Sequence, residues 1–259
     1  FAAGYVVTSG TINPLFFIAV LYFLIPYNIL VYVVNDVFDY ESDLRNPRKG
    51  GVEGGILEPR LHTFMLVATA VVNVPFLLVL LITGDRTSGF WLISVIVGAL
   101  IYSVPRLRFK ERPVLDSATS SFHFVGPLLY ALVLTGWQTE YWPYVVAFFF
   151  WGMASHAFGA VQDINADKKA KIRSIATKFG AATTVKFSFM LYACSGLLLF
   201  YQGGLAIVAG ITQTLYLLMV GPYLNLSNSR AEQANRGWKK FIVLNQFSGF
   251  VITILIILS

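Results

Sequence analysis

Apolar runs of roughly helix-spanning length, parted by short polar stretches, set the pattern of this chain. A bilayer core about 30 Å thick asks a helix for about 20 mostly apolar residues, and run after run meets that demand. Phe1 to Ser9 reads as the tail of a first spanning helix; the chain opens without Met, so residues upstream are expected. Thr11-Ile12-Asn13-Pro14 is a turn, with Pro14 placed to begin a helix. The pattern then predicts helix two from about Pro14 to Asp39, helix three from Leu61 to Thr83 and helix four from Ser88 to Val104, stopped by Pro105. Helix five follows over Leu115 to Leu134, six over Trp142 to Gln162, seven over Ala181 to Tyr201, eight over Leu205 to Leu224 and nine over Phe241 to Leu258. The expected fold is an all-α polytopic membrane protein. Nine transmembrane helices form one domain over residues 1–259, bundled around a central cavity.

Composition agrees: 56% of residues are hydrophobic, 12% are charged, and the mean hydropathy is +0.68. A water-soluble core does not look like this. Cys194, the only cysteine, lies in an apolar run and reads as a packing residue; it excludes an intramolecular disulfide and a cysteine-based zinc site.

Charge adds sidedness. Of the 19 Lys and Arg, all but Arg86 fall in or beside the loops after helices two, four, six and eight. The positive-inside rule places those loops on the cytoplasmic face of the cell membrane. The net charge of +6 therefore flanks membrane helices and does not mark a nucleic-acid partner. Of the 13 Asp and Glu, all but Asp85 and Glu140 share the basic side, which topology alone does not require.

Two acidic stretches stand out there. Asn35-Asp36-Val37-Phe38-Asp39-Tyr40-Glu41-Ser42-Asp43 leaves the apolar run of helix two. At 100° per residue, Asn35, Asp39, Asp43 and Asp36 fall at about 0°, 40°, 80° and 100° on one helix face. Like charges so spaced repel, and carboxylates near a helix C-terminus oppose its dipole. The arrangement is either a solvated acidic helix end or a place where a hard divalent cation such as Mg²⁺ offsets the repulsion. Asp163-Ile164-Asn165-Ala166-Asp167 follows helix six, and its acid pair lies at the same interval of 124 positions from the first (39 to 163, 43 to 167). A Ca²⁺ loop is rejected, because Lys168 and Ser174 stand where that loop needs Gly and Glu. The recurrence suggests a parallel repeat of helices two to five in six to nine, which would set the clusters on facing sides of a central cavity. Carboxylates that hold Mg²⁺, ringed by Arg and Lys loops, describe a diphosphate site. An apolar cavity rich in Phe and Tyr suits a lipid-like tail on that diphosphate, and its ring faces suit an allylic cation.

These residues resemble a known family. Asn35-Asp36-x-x-Asp39-x-x-x-Asp43 is similar to the first signature of the UbiA-type intramembrane prenyltransferases, and Asp163-x-x-x-Asp167 to their second. Tyr102-Ser103, followed by Lys110, resembles a third, diphosphate-binding element. The resemblance implies Mg²⁺ on Asn35, Asp36, Asp39, Asp43, Asp163 and Asp167. It implies the donor's diphosphate on Arg45, Arg48, Lys49, Tyr102, Arg106, Lys110, Lys171 and Arg173, and transfer of a prenyl group to a lipophilic acceptor. The runs Arg45 to Gly54 and Ser155 to Asp163 resemble the lycopene elongase branch, which adds dimethylallyl units to lycopene to give C45 and C50 carotenoids. That branch tends to have small residues where Lys171 and Arg173 stand.

His156, about 20° from Asp163 on a continuous helix, is either a base for the product cation or a residue that bonds a neighbouring helix; His123 has the same two readings. Asn225-Leu226-Ser227 fits a glycosylation sequon but lies on the cytoplasmic side. Other acceptors of the family, such as a quinone precursor or haem, remain open, as does a non-catalytic carotenoid-binding role. A cation transporter would place its acids near the midplane, not beside basic loops.

Overall fold

Asn13 shows how the helices begin. Its side chain accepts the N–H of Phe16 at 3.1 Å, and Pro14 fills the first helical position, where its missing N–H costs nothing. The computed structural model describes residues 1–9, 11–44 and 55–258, and all regular structure among them is helical. The long helices are α2 (Pro14–Leu24), α3 (Pro26–Asp43), α4 (His62–Thr83), α5 (Arg86–Ser103), α6 (Leu115–Thr135), α7 (Trp142–Val161), α10 (Ala181–Gln202), α11 (Ala206–Val220) and α12 (Asn235–Leu258). Shorter pieces are α1 (Ala2–Ser9), α8 (Ile164–Ala170) and α9 (Ile175–Phe179).

With α2 and α3 taken as one span, Pro14–Glu41, eight helices among the described residues are long and apolar enough to cross a membrane. The expected nine counted a first helix, which here contributes the eight residues of α1. Large apolar side chains face outward, among them Ile82, Tyr201 and Ile257 at 81%, 88% and 72% exposure. On helices of this length such an exterior meets hydrocarbon.

Three boundaries differ from the sequence expectation. Helix two breaks at Pro26, whose ring cannot continue the hydrogen-bond ladder, and its second half runs on through Asp43. Helix six stops at Val161; Asp163 N–H bonds the Ala160 carbonyl at 3.2 Å, a tightened turn that separates α7 from α8. The last helix starts at Asn235, so Arg236, Lys239 and Lys240 ride its first turns.

The chain divides into two compact units. Unit 1 comprises Phe1–Phe109 and Gly126–Trp137; unit 2 comprises Lys110–Val125 and Gln138–Ser259. In unit 1, α3 packs on α2, α4 and α5. The rings of Tyr22, Phe23, Tyr27 and Tyr130 fill the interior, with Phe23 5.0, 5.5 and 5.8 Å from the other three. Asn28 donates to the Phe23 and Leu24 carbonyls at 2.9 and 3.0 Å, and Asn73 donates to the Pro26 carbonyl at 2.9 Å. Both amides therefore satisfy backbone groups at the Pro26 break.

Unit 2 is built on α10 between α7 and α11. Small residues let the backbones approach, as Ala147, Ala154, Ser188 and Ser195 are all buried. Ser188 and Ser195 of α10 donate to the Ala154 and Ala147 carbonyls of α7, each at 2.8 Å. Ser155 Oγ and Tyr192 Oη lie 2.8 Å apart, and Tyr192 stacks on Tyr216 of α11 at 5.0 Å. Ser121 donates to the Phe149 carbonyl at 2.7 Å.

Candidate active site

In unit 1 the buried pair Val33 and Val34 gives way to polar residues without ending α3. Asn35, Asp36 and Asp39 are half-buried and Asp43 is buried, all on this one helix. Acids at a C-terminus oppose the helix dipole, and a neighbouring cation offsets part of that cost. Arg108 Nη2 reaches Asp39 Oδ1 at 3.3 Å, while Nη1 donates to the Phe38 carbonyl at 3.1 Å. Ser103, in the last turn of α5, donates to Asn35 Oδ1 at 3.0 Å, and the half-buried Tyr102 precedes it. Arg106 is exposed. Arg106 and Arg108 both have left-handed backbones, φ 73° and 35°. Such conformations cost a non-glycine residue about 1–3 kcal/mol and gather at functional sites. Arg45, Arg48 and Lys49 lie outside the described residues.

Unit 2 carries the second set. Asp163 stands at the N-cap position of α8, and Asp167 lies inside that helix. Lys110 is half-buried, whereas Lys171 and Arg173 are exposed. Lys171 closes α8 in the left-handed conformation, φ 60°. Its N–H bonds the Lys168 carbonyl at 3.2 Å and the next N–H, of Ile172, bonds Asp167 at 2.9 Å, the pattern of a Schellman cap usually closed by glycine. Ser174 Oγ lies 3.5 Å from Asp167 Oδ2. The turn at Gln162 and Asp163 ends the continuous helix on which His156 and Asp163 were related. His156 Nδ1 lies 3.1 Å from Ser117 Oγ on α6.

Two residues escaped the sequence reading. Arg108 was one cation among several in a basic loop, and only the fold turns it onto Asp39. Asp116 was a lone acid at a helix start, yet it is fully buried. Its Oδ1 accepts Ser117 N–H at 2.7 Å and its Oδ2 accepts Ile175 N–H at 2.6 Å.

Among the described residues no three His, Cys, Asp or Glu side chains converge as a closed metal cage. The donors nonetheless fit Mg²⁺, which takes oxygen ligands and is usually held by one or two carboxylates together with substrate phosphates. Asp36, Asp39, Asp43, Asp163 and Asp167 are all half-buried or buried oxygen donors.

Comparison with known proteins gives a consistent family. The family described as UbiA prenyltransferase family matches residues 1–247. A lycopene elongase/hydratase of Corynebacterium glutamicum is 45% identical over 259 residues, covering 99% of this chain and 90% of that protein. A C(50) beta-cyclic carotenoids biosynthesis protein of Dietzia sp. is 44% identical over 262 residues, covering 100% of this chain and 61% of that protein. Among solved structures, a UbiA homolog from Archaeoglobus fulgidus bound to DMAPP and Mg²⁺ is similar with a TM-score of 0.68 at 19% identity, over 98% of this chain and 94% of that one.

Proposed function

The chain belongs to the UbiA prenyltransferase family, and from that premise we propose that it transfers a dimethylallyl group from its diphosphate to lycopene, forming C45 and C50 carotenoids. The observation that carries the reading is the set Asn35, Asp36, Asp39 and Asp43 on one helix end, with Arg108 against Asp39. Two relatives named for lycopene elongation and C50 carotenoid biosynthesis support the acceptor.

In this reading Asn35, Asp36, Asp39 and Asp43 of unit 1, and Asp163 and Asp167 of unit 2, would hold Mg²⁺ at the cytoplasmic side of the membrane. Bound there, Mg²⁺ would supply neutralisation of charge on the diphosphate as it departs. Tyr102, Arg106, Lys110, Lys171 and Arg173, with Arg45, Arg48 and Lys49, bind and orient that diphosphate; Arg suits paired contacts to its oxygens and Lys supplies a point charge. The terminal double bond of the acceptor then attacks the allylic carbon. The new tertiary cation loses a proton to His156 or to the released diphosphate, or else captures water. Five of the polar side chains inside the spans are already engaged by the backbone, which suits an acceptor without a polar head. Asn28, Asn73, Ser121, Ser188 and Ser195 all donate to backbone carbonyls, whereas recognition of a hydroxyl or carboxylate needs buried partners aimed at it.

Expression in a lycopene-producing host, followed by pigment mass analysis, tests the assignment. Wild-type cells should accumulate C45 or C50 pigment. Asp39→Ala and Asp163→Ala should each lose at least about a hundredfold in turnover while the protein stays inserted, because a metal contributes several kcal/mol and 1.36 kcal/mol is about tenfold in rate. Near-normal turnover in both would refute the Mg²⁺ reading. Prenylation of an aromatic acid or quinone precursor, with lycopene unchanged, would refute the carotenoid acceptor alone.

A further inference from the structure

Asp116 sits where two basic segments of unit 2 end. The first runs from Lys110 to Arg112, and the backbone N–H of Asp116 closes it by donating to the Arg112 carbonyl at 2.9 Å. The second runs from Lys171 to Arg173, and it ends two residues later at Ile175, whose N–H donates to Asp116 Oδ2 at 2.6 Å. The other oxygen, Oδ1, accepts Ser117 N–H at 2.7 Å, with Ser117 Oγ 3.4 Å away. Ser117 Oγ in turn lies 3.1 Å from His156 Nδ1 on α7, the helix that leads into Asp163.

A carboxyl group with no exposed surface is a costly thing to bury unless its oxygens are satisfied. A helix-start residue would serve its own first turn. Asp116 gives one oxygen to that turn and the other to an element 59 positions away in sequence. That second bond fixes the end of a loop whose other end is the left-handed Lys171. Ser174, between Arg173 and Ile175, caps α9 with its hydroxyl on Thr177 N–H at 3.2 Å and lies against Asp167. One buried side chain thus ties the start of α9, just after Arg173, to the start of α6, just after Arg112.

We propose that Asp116 is a positioning residue, a clamp that holds the two basic segments of unit 2 in register for binding a magnesium diphosphate. The proposal rests on the reading of Lys110, Lys171 and Arg173 as diphosphate ligands. It adds a residue that touches neither metal nor phosphate.

The chemistry of the clamp makes it separable from bulk and shape. Both carboxyl oxygens accept an N–H, whereas an asparagine amide offers one acceptor and turns a donor toward the second N–H. Asp116→Asn therefore breaks one of the two bonds at constant size. Ile175→Pro removes the N–H from the other side, together with part of a buried apolar side chain, and the thermal melt separates the two. Ser174 is already extended, φ −138° and ψ 171°, as a residue before proline prefers, and Ile175 is the first helical position, where proline is tolerated.

The test measures binding of inorganic pyrophosphate with Mg²⁺ to the purified full chain by titration calorimetry, beside the KM for dimethylallyl diphosphate and a thermal melt. Asp116→Asn and Ile175→Pro should each weaken pyrophosphate binding about ten- to a hundredfold, the usual effect of losing a residue that orients ligands, with KM rising more than kcat falls. Ser117→Ala keeps its backbone N–H and should bind pyrophosphate as the wild type does. If Asp116→Asn melts lower yet binds pyrophosphate normally, the residue is merely structural and the clamp is wrong. An equal loss in Ser117→Ala also overturns it, because the hydroxyl link to α7 would then be what matters. Should Asp116→Asn fail to insert, Ile175→Pro decides alone. Normal pyrophosphate binding in Asp167→Ala would instead place the failure in the diphosphate reading.

Discussion

Lys171 is the residue whose backbone and side chain disagree. It occupies the left-handed cap of α8, where an L-residue is disfavoured by about 1–2 kcal/mol and glycine is not. On the diphosphate reading, a lysine stands there for its charge, four residues beyond Asp167. Lys171→Gly should raise thermal stability by up to about 1 kcal/mol, net of glycine's greater freedom in the unfolded chain. The same change should raise the KM for the prenyl diphosphate. Lys171→Ala should raise KM equally without the gain in stability. Thermal melts and steady-state kinetics on the two variants separate the effects. A stabilised Lys171→Gly with unchanged KM would show that the ammonium is idle.

At the scale of elements, the break between α2 and α3 yields a prediction against hydropathy. Asn28 is exposed on a spanning helix, so replacing it with leucine should suit lipid better. Its amide, however, supplies donors to the Phe23 and Leu24 carbonyls freed near Pro26. Backbone groups without partners in hydrocarbon cost several kcal/mol each. Asn28→Leu should therefore destabilise the protein, read as faster loss of fold in a detergent challenge, and Asn28→Gln should recover part of the loss. A more stable Asn28→Leu would remove the account. This break also marks what the sequence could tell. Apolar run length placed the long helices to within a few residues, and the spacing of Asn35, Asp36, Asp39 and Asp43 put them on one helix end, because both are local properties of the chain. The same local rule carried helix six through Gln162, one residue past its end at Val161. The two-residue turn at Gln162 and Asp163 parts α7 from α8, and no breaker residue announces it. The pairs Arg108–Asp39 and Asp116–Ile175 span 69 and 59 positions. Periodicity is silent about contacts of that range, so they became visible only with the fold.

For the whole molecule, the distribution of charge predicts sidedness. With Cys194→Ser as background, cysteines at Lys110 and Lys169 should react with a membrane-impermeant maleimide only from the cytoplasmic face, and one at Asp85 only from the opposite face. Labelling of Lys110→Cys and Lys169→Cys from different sides would break the single-sided reading of the acidic and basic segments. The span Pro14–Glu41 has a consequence of another kind. Its 28 residues would measure about 42 Å if straight, well beyond a hydrocarbon layer of about 30 Å. The Pro26 break divides that excess between two shorter rods, each able to take its own tilt. Hydrophobic mismatch can then be absorbed by α2 while α3 keeps its acidic end at the water boundary. A change of membrane thickness, as when a cell alters its acyl chains with temperature, need not move Asp39 and Asp43 out of reach of a water-soluble diphosphate.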